Sequence, residues 1–115
     1  MRLVIVESPY AGKTINDIYR DTRYARACLR DCLMRGEAPF ASHLLYTQDG
    51  VLRDEVPKER ELGIKAGAAW IEMADALVVY TDLGVTDGMV EGMIKASKVD
   101  TTIEKRRLGA DWDSR

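Results

Sequence analysis

The sequence predicts an α/β domain built as three layers, a mainly parallel sheet of four or five strands with helices on both faces. Two observations predict it. Short apolar runs rich in β-branched residues, Leu3 to Val6 and Ala76 to Tyr80, alternate with longer segments whose apolar side chains recur at helical spacing. Right-handed crossovers between parallel strands then place the helices on either side of the sheet. With 115 residues, 46% of them hydrophobic, the chain suits one compact domain rather than two. Residues 1–108 carry that domain, and the polar segment 109–115 is expected to fray.

The elements follow in chain order. Leu3-Val4-Ile5-Val6 ends before the breaker Pro9 and reads as a central strand. From about Thr14 to Arg35, Ile18, Thr22, Ala25, Leu29 and Cys32 recur at helical spacing, with Arg, Asp and Tyr opposite, and Gly36 closes this longest helix. Glu37 to Ala41 reads as a brief second strand or turn, and His43 to Tyr46 as a short apolar insert before the polar loop Gln48 to Arg53. Pro57 suits the first turn of a second long helix that runs to Ala74 and buries Ile64, Ala68 and Ile71, with Trp70 a further candidate. The third strand is Ala76 to Thr81, the next helix Asp87 to Ser97, and a last strand falls within Asp100 to Lys105.

Charge and cysteine content narrow the function classes. Seventeen basic and nineteen acidic side chains give a formal charge of −2 without long blocks, which argues against a nucleic-acid backbone or an anionic membrane as main partner. No run approaches membrane-spanning length and the N-terminal apolar run is too short for a signal segment, so a cytoplasmic protein is expected. Cys28 and Cys32 lie four apart in a helical pattern, poor metal spacing without further ligands, and read as small buried hydrophobes. No metal or cofactor is expected.

In a parallel sheet the ligand crevice lies outside the carboxyl ends of the strands, where strand order reverses. Two loops qualify, Glu7 to Gly12 after the first strand and Asp82 to Gly88 after the third, and they are expected to face one another. The second runs into a helix opening at Thr86, so free backbone N–H groups and the positive end of a helix dipole point at the crevice. Glu7-Ser8-Pro9-Tyr10-Ala11-Gly12-Lys13-Thr14 also ends like a phosphate loop. That reading fails: Glu7 stands where the loop's first glycine belongs, and Pro9 removes an N–H that the cradle needs.

The segments Val4 to Tyr10, Pro39 to His43, Glu59 to Gly63 and Asp82 to Met89, in that order and spacing, resemble small, largely phage-borne domains of the DUF4406/DUF7768 type. Those domains are related to nucleoside 2-deoxyribosyltransferases. The resemblance runs from Leu3 to about Leu108 and implies a flavodoxin-like or Rossmann-like sheet whose crevice holds a base and a ribose, often in homo-oligomers whose subunits complete the pocket. It implies that Ser8, Pro9 and Tyr10, with Ala11 and Gly12, line the base side, that Glu61 lies near an acidic residue recognising the base, and that Gly84, Gly88 and Met89 approach the sugar. This sequence departs from the transferases where they carry an Asp and a nucleophilic Glu: Thr86 and Gly92 stand there. Glycine cannot attack an anomeric carbon, and Glu91, one residue away, is turned by about 100° on a helix.

The remaining candidates each have a structural alternative. His43 donates to a phosphate or ribose, or caps the turn from Pro39 to Ser42. Arg60 clamps a phosphate, or belongs to a solvated helix start beside Lys58, Glu59 and Glu61. Thr86 caps the helix whatever else it does, and Asp82 holds a ribose hydroxyl or begins the turn. Tyr10 is the aromatic placed to stack on a base. Met34, Tyr46, Trp70 and Trp112 are candidates for contacts between copies.

Two function classes follow. One is a nucleoside- or nucleotide-binding protein without turnover, in a phage setting a sponge for an ADP-ribose-type messenger such as cyclic ADP-ribose, acting in the host cytoplasm. The other is an active deoxyribosyltransferase or nucleoside hydrolase using Glu91.

Overall fold

A computed structural model describes residues 1–10 and 12–114. Four strands, β1 (Leu3–Glu7), β2 (Ala38–Phe40), β3 (Ala76–Tyr80) and β4 (Thr102–Arg106), form one sheet in the order β2-β1-β3-β4, every pair parallel. The crossovers carry α1 (Ile15–Met34), α2 (Ser42–Leu45), α3 (Pro57–Met73) and α4 (Asp87–Lys98). Strand order reverses between β1 and β3, so the carboxyl ends of those two strands flank the crevice.

Side-chain alternation on the strands decides what each helix covers. Val4, Val6, Ala76, Val78 and Tyr80 pack on one face against Tyr24, Cys28 and Cys32 of α1. On the other face Ile5, Leu77 and Val79 meet Ile71 of α3 and Met89 and Ala96 of α4. Both thiols are free and buried, as the sequence suggests. No helix among the described residues is long and apolar enough to cross a membrane.

Several expectations need correction. The stripe that α1 buries is Asp21, Tyr24, Ala25, Cys28 and Cys32, and Ile18 is 51% exposed. Twenty residues of helix span about 30 Å against about 17 Å for a five-residue strand, so the first turns of α1 overhang the sheet. On α3, Ile71 is buried but Ile64 is exposed, because it stands at the rim of the cavity described below. The insert after β2 is a one-turn helix. The tail does not simply fray: residues Trp112–Ser114 form a 3-10 turn, Trp112 sets its ring edge-on to Tyr24 at 5.1 Å, and Asp113 pairs with Arg23 at 3.2 Å. Trp70 stacks on Phe40 at 4.7 Å and donates to the Tyr46 hydroxyl at 2.8 Å. Tyr46, Trp70 and Trp112 thus have partners within the chain, while Trp70 and Met34 keep much of their surface exposed.

Candidate functional site

A cavity of about 480 Å³ opens beyond the carboxyl end of β1, on the face covered by α3 and α4. Ser8, Tyr10 and Lys13 reach it from the first loop and Thr86, Asp87 and Gly88 from the second, so both candidate loops line one hollow. Thr86 caps α4, its hydroxyl accepting from the Met89 N–H at 3.3 Å.

On the α2 side, Ser8 Oγ and His43 Nε2 share a hydrogen bond of 2.9 Å, and the Tyr10 ring lies tilted 5.5 Å from the imidazole. Burial lowers the His43 pKa to about 4, so the ring is neutral at pH 7. Tyr10 donates to Asp54 at 2.7 Å, and Asp54 also accepts from Arg60 at 3.3 Å. Arg60 therefore lines the cavity while tied to a carboxylate.

On the α4 side the sequence reading missed the main feature. Glu7 closes β1 on the same face as Ile5, and its carboxyl group enters the space over Gly92: a Cβ there would collide with Glu7 Oε2 and lie 2.8 Å from Cδ. Among the described residues no hydrogen bond or ion pair reaches this carboxyl group. Burial pushes its pKa up to about 8 although Lys95, one turn beyond Gly92, draws it down. In the sequence Glu7 opens the first candidate loop and counts against a phosphate loop; period-2 alternation from Ile5 is the signal that could have set it on this face, but nothing in the sequence sets it over Gly92. Glu91 and Lys95 also line the cavity.

Other expected site residues lie elsewhere. Asp82 faces α1, accepting from the Tyr24 hydroxyl at 2.6 Å and the backbone N–H groups of Leu108 and Gly109 at 2.9 and 3.0 Å. Burial raises its pKa, but these hydrogen bonds outweigh that and hold it below the usual carboxylate range. It anchors the chain after β4 and does not line the cavity. Gly84 serves the turn with φ +91°. Pro9 is buried beside the cavity rather than lining it, Gly12 packs against Asp17, and Glu61 borders a shallower hollow with Pro57 and Ile64. Gly88 and Met89 line the cavity as expected. Ala11 lies outside the described residues. Among those residues no group of three or more His, Cys, Asp or Glu side chains is placed to hold a metal ion.

The strand order, the three layers and the cavity at the reversal point define a Rossmann/flavodoxin-like α/β domain. Within that class the chain belongs to the family described as Domain of unknown function (DUF7768), whose model matches residues 2–106. Among solved structures it is similar to a 2-deoxyribosyltransferase from the psychrotolerant bacterium Bacillus psychrosaccharolyticus. The TM-score is 0.63 at 15% identity, over 94% of this chain and 74% of that one. At that identity the likeness is one of fold. No curated protein matches the chain.

Proposed function

We propose that this chain captures a nucleoside or nucleotide without turning it over, with the base against Tyr10 and the sugar over the first turns of α4. The observation that carries the reading is the convergence of Ser8 and Tyr10 with Thr86, Asp87 and Gly88 on one cavity. Fold likeness to a 2-deoxyribosyltransferase supports a nucleoside-type ligand. The chemistry favours capture: Gly92 offers no attacking group, and Glu7, raised by burial to about 8, holds its proton at pH 7 and is then a poor nucleophile.

In the finer version the protein is phage-encoded, works in the host cytoplasm, and sequesters an ADP-ribose-type signalling nucleotide. The cations Lys13, Arg60 and Lys95 around the cavity suit a phosphorylated ligand. Assembly into a homo-oligomer is part of this reading, supported by the exposed apolar side chains Val90 and Ile94 on α4. A second reading, an N-glycosidic enzyme, is kept by one observation: Glu91 lines the cavity.

Incubation with deoxyinosine plus adenine, and separately with NAD and ADP-ribose derivatives, tests the two. Recovery of unchanged ligand from heat-denatured protein is the expected result. Released or exchanged base overturns capture, and its loss in Glu91→Ala assigns the chemistry to that residue.

A further inference from the structure

We propose that Glu7, seated against Gly92, is the side chain by which this cavity recognises the sugar hydroxyls of its ligand, a proposal that rests on the nucleoside reading above. Three observations converge on it. The Glu7 side chain is partly buried, its carboxyl group has no hydrogen-bond partner among the described residues, and the surface left to it faces the cavity. A polar group drawn partly out of water without a partner is incompletely satisfied, and a bound hydroxyl makes up the deficit by donating to it or accepting from it.

The second observation is Gly92 itself. It lies in the middle of α4, where glycine is a poor helix former, and any Cβ there would take the place of Glu7 Oε2. Helix stability is given up at the one position where a side chain would evict the carboxyl group. The third is the setting. From α4, Asp87, Glu91 and Lys95 face the same hollow; from α2, His43; from the first loop, Tyr10 and Lys13; from α3 and the segment before it, Glu59, Arg60 and Asp54. Of the three cations, Arg60 is held by Asp54, and no ion pair fixes Lys95 on Glu7. The carboxyl group therefore stays available to a ligand. At neutral pH it carries its proton, which lets it donate as well as accept.

Isothermal titration of the full chain with adenosine and with 2′,3′-dideoxyadenosine, from pH 6.5 to 9.5, tests this. Wild-type protein is expected to bind adenosine at least tenfold more tightly than the dideoxy compound. Its adenosine affinity should fall above pH 8 as the proton, and with it the donated hydrogen bond, is lost, to no lower than that of Glu7→Ala. Glu7→Ala should bind both compounds equally weakly, and Glu7→Gln should keep part of the preference while losing the pH dependence. Gly92→Ala, which displaces the carboxyl group but favours the helix, should behave like Glu7→Ala while remaining folded in a thermal scan. A hydroxyl preference that survives in both Glu7→Ala and Gly92→Ala overturns the proposal while leaving the nucleoside reading intact. Failure of the wild-type protein to bind either compound overturns that reading and this proposal together.

Discussion

Asp82 and Glu7 are carboxylates near the ends of adjacent strands, and the two faces of the sheet give them opposite fates. Asp82 is satisfied by Tyr24, Leu108 and Gly109 on the α1 face; Glu7 faces the cavity without a hydrogen bond from the described residues. The sequence left Asp82 open between ribose contact and turn, because its three donors come from residues far along the chain. Asp82→Ala strands those buried donors at about 1–3 kcal/mol each where water cannot replace the bond, so a loss of about 3–5 kcal/mol in urea unfolding is expected. Adenosine affinity should be unchanged, since Asp82 does not line the cavity. A large loss of affinity without loss of stability would return Asp82 to the ligand site.

At the scale of elements, the strands were legible because β1 and β3 are apolar at consecutive positions and bounded by breakers, and α4 because Thr86 is a hydroxyl cap ahead of a helical run. The buried stripe of α1 was not, since Ile15 and Ile18 continue the apolar spacing past the edge of the sheet that would cover them. The same limit applies to the site. Convergence of the loops after β1 and β3 follows from strand order, whereas the meeting of Glu7 with Gly92 joins two elements distant in sequence. Within α4 two substitutions should move stability in opposite directions. Thr86→Ala removes the cap and should cost about 1 kcal/mol. Gly92→Ala should add up to about 1 kcal/mol of helix propensity, because the atom it meets is the end of a side chain that can swing away. Urea midpoints of the two variants check this, and a destabilised Gly92→Ala would mean that Glu7 is held too firmly to leave.

For the whole molecule, Glu7 and His43 govern how stability varies between about pH 5.5 and 8, above the range in which carboxylates held low in the folded chain, such as Glu37 and Asp82, are protonated on unfolding. Burial raises the Glu7 pKa from 4.5 to about 8, so in this range the folded chain keeps a proton that the unfolded chain releases. Its contribution is fully present below pH 4.5 and is lost as pH rises through 8. Burial lowers the His43 pKa from 6.5 to about 4, so the unfolded chain takes a proton that the folded one refuses, and stability is lost as pH falls below 6.5. From pH 4.5 to 6.5 the two differences oppose and cancel. Above 6.5 only Glu7 remains, and stability should fall by about 1.4 kcal/mol per pH unit, or about 2 kcal/mol by pH 8. Urea midpoints should therefore be level from about pH 5.5 to 6.5 and then decline. Glu7→Gln should abolish the decline and exceed the wild type at pH 8, while His43→Gln should extend the decline down to about pH 5.5. A wild-type midpoint that fails to decline from pH 6.5 to 8 would mean that the Glu7 carboxyl group is ionised in the folded protein, and with it would go the neutral hydrogen-bonding group over Gly92.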